Sequence, residues 1–168
     1  MPVIALALFL AFSLNQLELP GLYYDEALDA VPAMQLVQGQ QPELVRNAGL
    51  HIAGRTLPLM AMDYVGPVNT YLLTPFFTFL GVGVISVRMM TVAVGGLAIL
   101  LYYFALRGLY NRGVASITIL LLAISPSFIF WSRQGVHVTS IMTAIAGGSL
   151  LCLVHWWRAG RTWSLYLG

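Results

Sequence analysis

The chain has no lysine, one cysteine and little charge of either sign: 8% of its 168 residues are Asp, Glu, Lys or Arg. Each scarcity excludes something. A lone cysteine supports neither a disulfide framework nor a thiolate zinc site, and Cys152 lies in an apolar run, where it reads as a small packing or lipid-facing residue. With 59% hydrophobic residues, so little charge would leave a soluble globule unable to cover its surface, so the bilayer must be the solvent. The arginines are dispersed and the formal net charge is only +2, so no basic stripe forms and no nucleic-acid partner is implied. No Gly-x-Ser-x-Gly elbow or His-Glu-x-x-His helix occurs, which argues against the commoner hydrolases, and His51, His137 and His155 have no ligand spacing for a metal.

What is present is a series of apolar runs. A helix needs about 20 apolar residues to cross the hydrocarbon core. Residues 89–106, 114–131 and 139–157 are uncharged and are read as transmembrane helices. Residues 3–19 are a shorter candidate, interrupted by Asn15, Gln16 and Glu18; the missing basic flank suggests that the true first helix starts upstream. The pairs Gly95-Gly96 and Gly147-Gly148 sit inside two of the runs, where glycine lets neighbouring helices approach closely. Residues 65–87 are ambiguous, and charge decides against their crossing. If they lie along the outer interface, Arg107, Arg112, Arg158 and Arg161 all fall on the cytoplasmic side, where arginine is favoured.

The fold expected is therefore an all-α integral membrane protein, a multi-spanning helix bundle whose first loop, residues 20–88, is extracytoplasmic. That loop carries Asp25, Glu26, Asp29, Glu43 and Asp63 against Arg46, Arg55 and Arg88. Residues 26–37 place Ala27, Ala30, Val31, Met34 and Leu36 near one face at helical spacing, and residues 43–51 form a second amphipathic stretch. Both are expected to lie as helices at the membrane interface, either walling a site or sealing the top of the bundle.

Asp25 and Glu26 stand side by side just past the first apolar run, and an acidic pair beside hydrocarbon is a functional hypothesis by default. The plainer alternative is a helix-start signal. The order of elements is Tyr24-Asp25-Glu26-Ala27, then Asp63-Tyr64-Val65-Gly66-Pro67 with Tyr71-Leu72-Leu73, then Ser86-Val87-Arg88, and Leu109-Tyr110-Asn111-Arg112. Ile124-Ser125-Pro126-Ser127-Phe128 and Trp131-Ser132-Arg133 close the series. This order resembles the N-terminal half of the multi-spanning glycosyltransferases that use polyprenyl-phosphate sugars, the group containing protein O-mannosyltransferases and the lipid A aminoarabinose transferase.

The resemblance implies an enzyme that moves a sugar from a lipid phosphate to an acceptor hydroxyl at the outer face of the cell (inner or plasma) membrane. Its partners would be the bilayer and a polyprenyl-phosphate-linked sugar. Asp25 matches the family's acceptor-side acid and general base. Glu26, one residue on, is suited to hold the loop through hydrogen bonds. The leaving phosphate calls for a divalent cation or an arginine. Asp63 stands where relatives carry a loop acid and would contact the donor or, with Asp25, ligate the metal, while Arg133 would contact the donor phosphate or else anchor a helix end by snorkelling. Relatives often carry an aspartate just after the Ser-Arg pair; this chain reads Gln134-Gly135-Val136-His137-Val138, and His137 is a substitute donor contact or an interfacial residue. The chain is expected to be a single transmembrane module, residues 1–168, of a larger transferase, and a fragment would be inactive alone. A non-catalytic membrane assembly subunit and a transporter fragment are the alternatives; the first would need only the helices and glycine pairs, the second charge inside the spans, which they lack.

Overall fold

In the computed structural model, which describes residues 1–19, 21–52, 54–63, 65–134, 139–160 and 162–167, seven α-helices and one short hairpin form an all-α membrane helix bundle. The chain divides into two compact units. One comprises Met1–Asn15, Thr91–Arg133 and Val138–Gly168, the other Gln16–Met90 and Gln134–His137.

The first unit holds α1 (Pro2–Leu14), α4 (Val84–Leu109) from Thr91 onward, α5 (Arg112–Ala123), α6 (Pro126–Arg133) and α7 (Thr139–Ala159). Its close approaches are made at glycines. A Cβ on Gly95 would lie 2.8 Å from both the Phe9 ring and Ser132 Oγ, and one on Gly147 would lie 3.2 Å from Leu101 Cβ. Without Cβ atoms there, α4 meets α1 and α6 at Gly95, and α7 meets α4 at Gly147. Phe9 is fully buried and packs its ring on Phe128 at 5.3 Å.

Two expected spans differ. The helix sought over residues 3–19 stops at Leu14, because Asn15 is extended and Gln16 turns left-handed at φ 50°. Its 13 residues reach only about 20 Å. Residues 114–131 are two helices bent by 60° rather than one straight span. Proline lacks an N–H and disfavours helical backbone in the residue before it, so α5 ends ahead of Ser125 and Pro126 opens α6 as its first residue. At the other end of α5, Asn111 accepts a hydrogen bond from Val114 N at 2.9 Å, a side-chain cap. Among the described residues α4, with 26 residues, and α7, with 21, are long and apolar enough to cross a membrane, and the bent pair makes a third if taken as one span. The protein is thus a multi-pass membrane protein.

The second unit holds α2 (Tyr24–Val37), a hairpin of β1 (Gly49–Ile52) and β2 (Arg55–Pro58), α3 (Val68–Leu80) and the first turns of α4. Residues 43–51 are not the expected amphipathic helix. Arg46 and Asn47 take left-handed φ of 54° and 55°, so only a 3-10 turn forms at Val45–Asn47, and the chain then pairs antiparallel from Gly49 opposite Pro58 to Ile52 opposite Arg55. Gly54, at φ 77°, permits the hairpin turn. Within residues 65–87 the helix α3 is 13 residues long and is closed by Gly81 at φ 84°.

α2 forms where expected but turns another face inward. Its buried positions are Glu26, Asp29, Ala30 and Ala33, the i, i+3, i+4, i+7 stripe, whereas Val31 of the expected apolar face is 44% exposed. The inner face of this helix is built around two carboxylates.

Candidate functional site

The Tyr23–Tyr24–Asp25–Glu26 sequence starts α2 with a capping box: Glu26, at the third helical position, reaches back so that its Oε2 accepts from Tyr23 N at 2.7 Å. Asp25 and Glu26 both lie in the first turn, where acids complement the helix macrodipole. Consecutive helical residues point about 100° apart, so when Glu26 is turned fully inward Asp25 cannot be. Glu26 has no exposed surface, and Asp25 is half-buried.

What meets Glu26 is Arg88, from the second turn of α4. Its Nε donates to Glu26 Oε1 at 3.1 Å and its Nη2 to Oε2 at 3.2 Å, a two-pronged pairing of guanidinium and carboxylate. The same guanidinium donates from Nη1 to the Leu17 carbonyl at 2.7 Å and from Nη2 to the Gly21 carbonyl at 3.0 Å. Arg88 is 3% exposed. A buried ion pair survives when further hydrogen bonds satisfy its remaining groups, and here they do: one arginine ties the start of α2, the start of α4 and the segment leading into α2.

One turn along α2, Asp29 repeats the arrangement with α3. Asn69 Nδ2 donates to Asp29 Oδ2 at 2.7 Å, and Thr70 Oγ1 donates to the Asp29 carbonyl at 3.4 Å. All three residues are buried. On the opposite face of α2, a cavity of about 390 Å³ is lined by Tyr24, Leu28, Val31, Gln35 and Glu43, among others, and Glu43 N donates to Gln35 Oε1 at 3.2 Å across it. Tyr24 is 75% exposed and brings an aromatic ring to this partly polar cleft, which neither Asp25 nor Glu26 lines.

The other residues singled out from sequence lie elsewhere. Asp63 is exposed and its Oδ1 accepts from Arg46 Nε at 2.9 Å. Arg133, the last residue of α6, donates from Nη2 to the Asn15 carbonyl just past α1 at 2.7 Å. His137 lies outside the described residues. Asp63, expected with Asp25 to hold a divalent cation, is engaged by Arg46, and among the described residues no group of three or more His, Cys, Asp or Glu is gathered. Arg88, Asp29 and Asn69 were not singled out from sequence. The available signals were the Glu26/Asp29 spacing on one helical face and a lone arginine at the head of a long apolar helix.

The polar residues that grip α2 come from α3 and the start of α4, and the part of the chain containing them matches a family model described as dolichyl-phosphate-mannose-protein mannosyltransferase over residues 64–168. The chain belongs to this family. The matched region takes in Asn69, Thr70, Arg88, Arg133 and the Ser125-Pro126 break, while Asp25, Glu26 and Asp29 precede it. No curated protein and no solved structure matches the chain significantly. Family membership makes the protein a membrane glycosyltransferase of mannosyltransferase-like type.

Proposed function

We propose that the protein transfers a sugar from a polyprenyl phosphate to an acceptor hydroxyl at the outer face of the cytoplasmic membrane, with Asp25 as the general base on the acceptor side. The observation that carries this reading is the Glu26–Arg88 pair, which fixes the first turn of α2 and with it the backbone of Asp25. A base must be held within hydrogen-bond reach of the proton it takes, and a helix start clamped at Glu26, Leu17 and Gly21 supplies that rigidity. In the step itself, the acceptor oxygen forms a bond to the anomeric carbon and the bond from that carbon to the phosphate oxygen breaks. The acceptor proton goes to the Asp25 carboxylate, and polyprenyl phosphate leaves with the electron pair. Glu26 is a positioning residue, since its oxygens are engaged by Arg88 and Tyr23 N. Arg133 is assigned to the donor phosphate, on the outer side that the arginine distribution gives to the loop.

The test is transfer by the purified full-length protein in liposomes containing polyprenyl-phosphate mannose. Asp25→Asn keeps size and shape and removes the base, so kcat should fall by about 10²-fold or more. Normal turnover by a folded Asp25→Asn protein would exclude Asp25 from that role.

A further inference from the structure

We propose that the cleft at the break between α5 and α6 is a monosaccharide site that takes the uncharged sugar ring of the donor; this deepens, and rests on, the transferase reading above. The 60° bend at Ser125-Pro126 opens a cavity of about 330 Å³ against the first turns of α7. That is near the lower end of ligand pockets, roughly 300–1,000 Å³, and suits one sugar ring rather than a glycan.

Its lining is unusual for an apolar bundle. Among the described residues its lining includes six hydroxyl-bearing residues, Ser125, Ser127, Ser132, Thr139, Ser140 and Thr143, together with Phe128 and Trp131, and no charged residue. Hydroxyls both donate and accept, as those of a sugar do, and an aromatic ring offers an apolar face to the C–H side of a pyranose. A phosphate would instead be met by guanidinium or ammonium groups. Within the cleft, Thr143 Oγ1 donates to the Thr139 carbonyl at 2.6 Å, so its proton is used and its lone pairs remain to accept.

Ser140 points most directly to a ligand. It is 4% exposed, it lines the cavity, and among the described residues its Oγ has no hydrogen-bond partner. Buried hydroxyls are satisfied in the great majority of folded proteins, and one left unpaired beside a cavity is accounted for by a partner that enters the cavity. A ring hydroxyl supplies that partner.

The experiment uses the purified protein in detergent with methyl α-mannoside and other methyl glycosides as probes, inorganic phosphate and sugar-free polyprenyl phosphate as controls, and thermal shift with saturation-transfer NMR as readouts. At least one glycoside should bind and raise Tm, and phosphate alone should not. Ser140→Ala should have an unchanged or higher Tm without ligand, because it removes an unsatisfied group, yet lose at least tenfold in glycoside affinity. Thr143→Val should weaken binding in the same direction, and Asp25→Asn should leave it intact. Wild-type affinity in Ser140→Ala, or binding of phosphate in preference to every glycoside, would overturn the site. Absence of glycoside binding in a protein that transfers sugar would overturn the cleft and leave the transferase reading standing. Ser140-dependent glycoside binding in a full-length wild-type protein that transfers no sugar would do the reverse.

Discussion

Arg88 and Glu26, 62 residues apart in sequence, face each other through two hydrogen bonds of 3.1 and 3.2 Å in the buried interior of the loop unit. The pairing converts a run of small local signals, an acid in a capping box and an arginine at a helix head, into one joint. Two further N–H donors of Arg88 reach the Leu17 and Gly21 carbonyls, so the joint also orders the approach to α2.

Removing one side of this joint leaves the other charge buried. Glu26→Gln and Arg88→Ala should each destabilise the protein by about 3–5 kcal/mol, whereas Arg88→Lys should fall between them and wild type, because an ammonium cannot span both carboxylate oxygens and two carbonyls. Thermal unfolding in detergent measures the order. Equal stability of Arg88→Lys and wild type would show that the fork is not what holds α2.

At the α2–α3 contact, Asn69→Ala takes the donor from a buried carboxylate. A loss of about 1–3 kcal/mol is expected, with Asn69→Asp worse because it sets two acids 2.7 Å apart. Urea unfolding monitored by circular dichroism checks both; the aspartate variant proving the more stable would contradict the assigned hydrogen bond.

Gly95→Ala places a methyl where Phe9 and Ser132 already stand, at 2.8 Å from each. Overpacking of this kind costs about 1–3 kcal/mol. Gly83→Ala, with nothing within 4 Å of its added methyl, is the control and should change Tm little.

Tyr71 donates its phenol proton to the Pro58 carbonyl at 2.6 Å, tying α3 to the hairpin, and burial raises its pKa above the usual 10.0. A raised folded pKa favours the protonated phenol, so this contribution is complete below the unfolded pKa and is lost as pH climbs above 10 through the folded value. Tyr71→Phe should cost about 1 kcal/mol at neutral pH and flatten the alkaline part of the stability profile. An unchanged alkaline slope in the variant would assign that dependence to other groups.

For orientation, Gln41→Cys and Tyr110→Cys in a Cys152→Ser background should label oppositely with an impermeant maleimide applied from outside, the first reacting and the second not. Both positions are exposed, so access reads sidedness rather than burial. Equal labelling from outside would sink the topology with the loop outside and Arg107, Arg112, Arg158 and Arg161 inside.

Membrane class, the long helices α4 and α7 and the role of the glycine pairs were legible in the amino acids alone, because backbone groups in hydrocarbon must bond within their own segment and only long apolar runs can do so. The start of α2 was legible too, through its local acids. The inner face of α2 was not. Where lipid is the solvent, an apolar side chain is as well placed outside as inside, as Phe79 at 84% exposure and Leu121 at 61% show, so hydrophobic spacing pointed at Ala27 and Val31 while the buried stripe was Glu26 and Asp29. The helix break at Ser125-Pro126 is a local effect that run length concealed. Which arginine would meet Glu26, which amide would meet Asp29, and which of the many serines would be left unsatisfied at a cavity were decided only by tertiary structure. A hydrogen bond needs its partner within about 3 Å, and no spacing along the chain specifies the closure of loops 40 and 62 residues long.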